Sequence, residues 1–187
     1  MIKEFILKDG RKVIIKKLTI EDYKKDNNYE FVHSWINQVN KYLNAEFNKE
    51  DLERDKKEWY KYLSTTDEIA IGAIYDGKII GTASLRLNLK SKKTRHVGDW
   101  GIAIHPDFHN NGLGMELLTI IEKIAEEKGL IKLEADFYDG NKSAETLYLK
   151  KLNYKIEGRR KYAILLKDGT YVDKICIGKI FKRNIKK

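Results

Sequence analysis

The residues best suited to chemistry in this chain lie in one short segment, HPDFHNNGLGMELL, at positions 105–118. A strand-like run over residues 100–104 leads into a polar loop, and Gly112 and Gly114 then open an amphipathic helix. Such a loop turns several backbone N–H groups towards one point, where the helix dipole adds positive potential. Glycines lack a Cβ atom and let a ligand approach the backbone closely. The segment therefore predicts an anion site, and a pyrophosphate is its most natural occupant.

The elements around this loop follow from hydrophobic periodicity and from turn residues. The predicted strands span residues 2–7, 12–18, 69–75, 78–89, 96–104, 130–137, 154–166 and 171–181. Asp-Gly pairs, which favour tight hairpin turns, join the first, second and last pairs of strands. The predicted helices span residues 29–43, 49–63, 112–128 and 142–151, and Thr19 and Asn48 are expected helix caps. No Pro-rich or Ser-rich linker divides the chain, so one mixed α/β domain over residues 1–187 is the economical interpretation.

The charge balance limits the classes of partner. The chain has 187 residues, with 37 Lys and Arg against 28 Asp and Glu, and its net charge is +9. A basic protein favours polyanionic partners, among them a phosphorylated cofactor or a nucleic acid. No long run of one sign and no arginine cluster precedes the basic C-terminal tail, which disfavours nucleic-acid binding as the main function.

Cysteine usage and apolar runs indicate the cellular setting. The single cysteine, Cys176, excludes an internal disulfide and fits a reducing compartment. The first residues lack the apolar segment of a signal peptide, and no apolar run approaches the ~18 residues of a membrane span. We therefore expect a cytoplasmic protein that does not use a membrane. Pro106 lies between His105 and His109 and argues against one helical face carrying two zinc ligands, so we expect no metal.

Two motifs resemble the signatures of the GCN5-related N-acetyltransferases, a family that uses acetyl-coenzyme A. The family's acyl-CoA signature, Gln/Arg-x-x-Gly-x-Gly/Ala, is matched by residues 109–114, with His109 as a departure in the first position. The later signature, Asn-x-x-Ala-x-x-Leu-Tyr, is matched at Asn141, Ala144, Leu147 and Tyr148, and Asn153-Tyr154 stands in for the final Gly-Phe-like pair. The order of predicted elements is also similar, over most of residues 12–181.

This resemblance implies a fold and a set of cofactor contacts. The fold is a mixed α/β acyl-CoA N-acyltransferase fold, with a mostly antiparallel sheet of about seven strands flanked by helices and splayed at strands 97–105 and 130–137. Amides of residues 111–115 would hold the pyrophosphate, the N–H of Ile104 would stabilise charge on the thioester oxygen, and Asn141 would contact the pantetheine arm. Asn141 can cap its helix at the same time. The implied cofactor-binding residues are Ile102, Ala103, Ile104, His109, Asn110, Asn111, Gly112, Leu113, Gly114, Met115, Asn141, Ala144 and Tyr148.

Acetyl transfer to an amine requires two proton movements. An alkyl amine with a pKa of ~10.4 is almost wholly protonated at neutral pH, so the site must first remove a proton. Asp99 precedes Ile104 on the same strand, where some relatives carry a glutamate, and it is the predicted base; His96 and a water are the alternatives. Strand parity puts Asp99 and Ile104 on opposite faces unless a bulge intervenes. Tyr148 holds the family's general-acid position, from which a phenol can protonate the departing thiolate.

The sequence thus predicts an N-acetyltransferase that moves the acetyl group of acetyl-CoA to a primary amine by direct attack. The acceptor stays open among small amines, amino-acid analogues, polyamines and protein N-termini. Two other functions also stay open: a non-catalytic acyl-CoA-binding or regulatory module of the same fold, and a basic nucleic-acid-binding protein. Oligomeric state is not determined, and a homodimer is one of the possibilities.

Overall fold

Eight strands join into one sheet in the computed structural model, which describes residues 2–42 and 52–182. The strands are β1 (Ile2–Ile6), β2 (Lys12–Lys17), β3 (Glu68–Tyr75), β4 (Lys78–Leu87), β5 (Val97–Ile104), β6 (Lys132–Tyr138), β7 (Lys155–Leu165) and β8 (Tyr171–Ile180). The helices are α1 (Ile20–Lys24), α2 (Asn28–Val39), α3 (Leu52–Leu63), α4 (Leu113–Glu127) and α5 (Lys142–Glu145). Short 3₁₀ turns occupy Lys25–Asn27, Asn40–Tyr42 and Pro106–Phe108.

The sheet is antiparallel except at its centre. Its order is β1-β2-β3-β4-β5-β6-β8-β7, and β5 and β6 form the parallel pair. That pair is in register only over three positions, Val97↔Lys132, Gly98↔Leu133 and Asp99↔Glu134, beyond which no ladder joins the two strands. The expected mixed α/β fold with a splay between these strands is confirmed, and the sheet has one strand more than the expected seven.

Local sequence patterns account for most of these elements. Thr19 and Asp22 form the reciprocal capping box that begins α1. In α4, Leu113, Leu117 and Ile121 recur every four residues, and all three are buried against the sheet. Burial of each such side chain contributes about 1.5–3 kcal/mol relative to exposure. Gly129 ends the helix region with a φ of +77°, a conformation that favours glycine.

Helices cover both faces of the sheet. α4 packs on β3, β4 and β5 on one face, together with a buried cluster that includes Leu117, Ile121 and Trp100. α2 contacts β4 and α3 contacts β3, within a second cluster around Tyr23 and Trp35. Strands β3 and β4 are therefore covered on both faces. None of the described helices has the length and apolar character needed to cross a membrane.

One predicted helix differs in type from the structure. The helix expected over residues 142–151 is α-helical only over Lys142–Glu145 and continues as a π-helical turn, Thr146–Lys151, in which the Leu152 N–H donates to the Leu147 carbonyl at 3.0 Å. Such turns are rare and concentrate at functional sites, and no local pattern announces them. The expected Asn48 cap lies outside the described residues.

Candidate active site

The polar loop after β5 is held in place by aromatic and cationic side chains. The His105 ring stacks on Phe31 of α2, with centroids 5.8 Å apart and planes 12° apart. Phe108 is buried, and the Arg11 guanidinium lies 3.9 Å from its ring centroid. Arg11 also donates to the Asp107 carbonyl at 2.7 Å. The start of β2 and one face of α2 thus fix the loop against the end of β5.

The two glycines of the loop are needed for different reasons. Gly112 adopts a φ of +88° and precedes α4, a backbone conformation that side chains with a Cβ rarely take. Gly114 has an ordinary φ, but a Cβ there would lie 3.1 Å from Leu147 Cδ2 and 3.3 Å from Ile104 Cδ1. One glycine permits the turn, and the other permits close packing against the later signature helix.

Free backbone donors converge at this end of α4. The Glu116 N–H donates to the Gly112 carbonyl at 3.2 Å, which is the bond that starts the helical ladder. The N–H groups of Leu113, Gly114 and Met115 therefore have no partner inside the helix. Together with the positive end of the helix dipole they form a site suited to a phosphate group.

His109, the departure from the signature, bonds to the strand end. Its Nε2 lies 2.7 Å from the Ile104 carbonyl oxygen, within hydrogen-bond distance. Asn110, the next residue, has a φ of +60°, and the Asn111 carbonyl accepts a bond of 3.2 Å from the Lys8 N–H. The imidazole therefore ties the loop to β5.

The alternation of hydrogen bonds along β5 determines which of its N–H groups face away from β4. The His105 N–H donates to the Ile80 carbonyl of β4 at 2.8 Å. Because paired and unpaired residues alternate in an antiparallel ladder, the N–H groups of Ile104 and Ile102 point away from β4. They face the splay, past the last β5–β6 pair at Asp99. A carbonyl oxygen placed in the splay can accept from them.

Tyr148 projects into the same region from the π-helical turn. Its ring packs edge-on against Trp100 of β5 at 4.8 Å and against Phe137 of β6 at 5.9 Å. Burial raises the pKa of Tyr148 well above its usual value of 10, so its hydroxyl stays protonated at neutral pH. The Asn141 side chain accepts a hydrogen bond of 3.1 Å from the Ala144 N–H and so caps α5, which confirms the predicted helix cap.

Asp99 lies on the other face of the sheet from the Ile104 side chain. The β4–β5 register runs without a shift from Gly81↔Ile104 to Leu87↔Gly98, so no bulge alters the strand parity. The Asp99 carboxylate forms an ion pair with the Arg86 guanidinium on β4, whose positive charge balances it. His96 is exposed just before β5. The structure therefore packs Tyr148 against Trp100 on one face of β5 and places Asp99 on the other face.

A second carboxylate, Glu68, was not anticipated from the sequence. It is the register partner of Arg86, which in turn is the partner of Asp99, so the three side chains share one face of the sheet. Glu68 is only 4 % exposed, and neither carboxylate oxygen has a hydrogen-bond partner in the described part of the chain. Burial raises its pKa to about 7. A glutamate at a strand start looks solvent-exposed in sequence, and only the covering helices reveal its burial.

A pocket of about 270 Å³ opens on this face and reaches Ala70, two residues along β3 from Glu68. Small residues of the sheet form its floor, and aromatic and aliphatic side chains of the helices form its walls. Its lining residues are Tyr23, Ile36, Trp59, Ala70, Thr82, Ala83, Ser84, Gly101, Ile102 and Ala103. Its composition suits an apolar group, and β5 separates it from the side of the strand that faces Tyr148. Within residues 2–42 and 52–182, no group of three His, Cys, Asp or Glu side chains is arranged to hold a metal ion.

Comparisons with known proteins agree with this architecture. Residues 36–154 match the family model described as "Acetyltransferase (GNAT) family". A GNAT-family acetyltransferase from Streptococcus pneumoniae is 25 % identical, with 90 % of this chain and 99 % of that chain covered and a TM-score of 0.71. None of the curated proteins matches the sequence significantly.

Two further solved structures are similar in fold. A ribosomal-protein-alanine N-acetyltransferase from Brucella melitensis is 20 % identical, with 89 % and 99 % of the two chains covered and a TM-score of 0.72. A ribosomal-protein-S5-alanine acetyltransferase from Vibrio fischeri is 16 % identical, with 96 % of each chain covered and a TM-score of 0.74. At these identities the likeness concerns the fold.

Proposed function

This chain belongs to the GNAT acetyltransferase family, and on that premise we propose that it transfers the acetyl group of acetyl-CoA to a primary amine. One observation carries the proposal: the free amides at the start of α4 lie beside a splay in which β5 offers further unpaired amides. An anion and an adjoining carbonyl can be bound there by main-chain donors alone.

The residues present fit acetyl-CoA. The amides of Leu113, Gly114 and Met115 would hold the pyrophosphate, and the open edge of β5 at Ile102 and Ile104 would bind the pantetheine arm and the acetyl carbonyl. Bound acetyl-CoA supplies a thioester carbonyl that an amine can attack. The further cofactor contacts that we propose come from the remaining members of the signature motifs, Ala103, His109, Asn110, Asn111, Gly112, Asn141 and Ala144.

Residues of this chain would then stabilise the developing negative charge and transfer the protons. The Ile104 N–H donates to the oxygen that gains negative charge, from a position that needs no rearrangement. Tyr148, kept protonated by burial, donates its proton to the departing sulfur. The acceptor ammonium must lose a proton before it can attack, and Asp99, His96 or a water is the base that the motifs predict.

We propose a small amine, an amino-acid analogue or a protein N-terminus as the acceptor. The apolar pocket beside Ser84 and Gly101 supports an amine that carries a compact apolar group. The fold-level likeness to two ribosomal-protein-alanine acetyltransferases supports testing α-amino groups first. A cytoplasmic location and one domain over residues 1–187 belong to the same proposal, supported by the single cysteine and by the one continuous sheet.

The proposal is tested by an acceptor screen that measures release of free CoA thiol. Peptides with N-terminal alanine, the same peptides with a blocked N-terminus, and a set of small amines are compared. We expect thiol release with unblocked amines only. Acetyl-CoA binding without thiol release across the panel would favour a non-catalytic module instead. Salt-dependent binding of DNA or RNA without any binding of CoA would favour the nucleic-acid function.

A further inference from the structure

Glu68 is a buried carboxylate that the fold leaves without a partner. It begins β3 under α3, and no hydrogen bond within the described residues ends on either of its oxygens. Burial of an ionised carboxylate without compensation costs several kcal/mol, so proteins seldom keep one without a use. Replacement by a neutral side chain would remove that cost.

Few groups act on the charge of Glu68. The hydroxyls of Tyr62 on α3 and Ser84 on β4 make no hydrogen bond to the carboxylate but lie near enough to stabilise its charge, and Arg86 attracts it from β4. Arg86 is itself paired with Asp99 of β5, whose negative charge opposes ionisation of Glu68. The pKa of Tyr23 on α1 is raised by burial and also by the negative charge of Glu68. The balance leaves a pKa of about 7, so Glu68 exchanges protons at neutral pH.

A short path leads from Glu68 to the pocket. Ser84 lines the pocket, and its register partner on β5 is Gly101. Because Gly101 has no side chain, the space beside the Ser84 hydroxyl stays open: a Cβ on Gly101 would lie 3.9 Å from Ser84 Oγ. The pocket continues along Ile102 and Ala103 to the part of β5 that would hold the thioester. An amine in the pocket therefore lies between Ser84 and the reacting carbonyl.

We propose that Glu68 is the final acceptor of the proton that the acceptor amine loses, and that the Ser84 hydroxyl relays this proton. The proposal rests on the acetyl transfer proposed above. The ammonium gives one proton to Ser84 Oγ while the Ser84 hydroxyl proton passes to Glu68. The neutral amine then forms the C–N bond to the acetyl carbon and the C–S bond breaks. The sulfur takes the Tyr148 proton and Tyr148 recovers a proton from solvent, while the second proton of the nitrogen and the proton held by Glu68 are released to solvent.

Asp99 has a different role in this arrangement. Its carboxylate is paired with Arg86 and lies one strand further from Glu68. It therefore acts as a positioning residue that holds the Arg86 guanidinium and limits the attraction of Arg86 for Glu68. Loss of Asp99 should alter the ionisation of Glu68 without removing the proton acceptor.

The test is the pH profile of kcat/KM between pH 5 and 9, measured with one acceptor amine throughout. We expect wild-type activity to rise with an inflection near pH 7, from ionisation of Glu68. Glu68→Gln should lose that inflection and about 10²-fold or more of kcat/KM, the range of general acid–base catalysis. Tyr62→Phe should keep the inflection but move it to higher pH, because the Tyr62 hydroxyl lowers the pKa of Glu68. Glu134 is an exposed carboxylate and the register partner of Asp99 on β6, so Glu134→Gln is the matched control.

Further variants separate the possible failures. Ser84→Ala should lower kcat more than it changes KM, and Asp99→Asn should keep an inflection that belongs to Glu68. An unchanged profile in Glu68→Gln, or loss of the inflection in Asp99→Asn alone, overturns the proposal. If Glu68→Gln does not fold, an unshifted inflection in Tyr62→Phe overturns it equally. A wild-type protein that acetylates no amine overturns the proposed function instead, which is a distinct result.

Discussion

His109 Nε2 lies 2.7 Å from the backbone carbonyl oxygen of Ile104, so the first residue of the glycine motif is bonded to the end of the strand beside the splay. The bond connects the loop proposed to bind the pyrophosphate to the strand proposed to hold the thioester. Its loss should leave the amides of the loop less well aligned with β5. This relationship gives the first prediction.

His109→Ala should weaken binding of CoA by roughly fivefold, because one net hydrogen bond contributes about 1 kcal/mol. Titration calorimetry measures the change. Asp107→Ala, in the same loop but with a side chain that is 79 % exposed, is the control and should bind normally. Equal affinities for wild type and His109→Ala would show that the loop does not depend on this bond.

Gly112→Val should abolish binding of CoA, because it adds a β-branched side chain at the mouth of the amide site and strains a φ of +88°. Gly129→Val is the matched control, since Gly129 follows the other end of the same helix with a φ of +77° and open space around it. Both variants should lose about 1–3 kcal/mol of unfolding free energy from backbone strain. Only Gly112→Val should lose affinity, and equal affinities in the two variants would refute the loop as the cofactor site.

Tyr148→Phe should lower kcat by roughly 10²-fold or more while CoA affinity stays near wild type, because the hydroxyl is the proposed proton donor. Thiol release and calorimetry measure the two effects. Tyr154→Phe is the control: Tyr154 also packs edge-on against Trp100, at 5.5 Å, but its hydroxyl has no partner in the described part of the chain. Unchanged turnover in Tyr148→Phe would remove this tyrosine from the mechanism.

Glu68→Gln should increase the free energy of unfolding relative to wild type, and this gain should grow as pH rises. Burial raises the pKa of Glu68 from its usual 4.5 to about 7, so the folded state holds a proton that the unfolded state releases. The cost of ionising Glu68 is absent below about pH 4.5 and grows between about pH 4.5 and 7. Above pH 7 it reaches its full value of about 3 kcal/mol. Urea unfolding at pH 4, 6 and 8 measures the gain of the variant over wild type. A gain that does not change with pH, or an equal gain in the exposed Glu134→Gln, would contradict the burial argument.

Local patterns were sufficient for the elements that depend on neighbours in sequence. The Asp-Gly turns, the Thr19–Asp22 capping box and the Asn141 cap all involve residues within about one helical turn of each other, and the structure has each of them. The glycine motif of α4 belongs to the same class, because its free amides follow from helix geometry alone. The family resemblance rests on these local motifs.

Contacts between distant segments were decided only by the tertiary structure. The burial of Glu68 needs α3 to cover the start of β3, and the Arg86–Asp99 pair needs the register of two strands. The bond from His109 to Ile104 and the π-helical turn that carries Tyr148 likewise depend on how the loop and the signature helix pack on β5. The sequence by itself determined the set of free amides at the start of α4 and so predicted an anion site there, because backbone donors at a helix start are a local property. Which carboxylate can take the proton depends on burial and charge pairing, and those arise only when remote strands and helices come together.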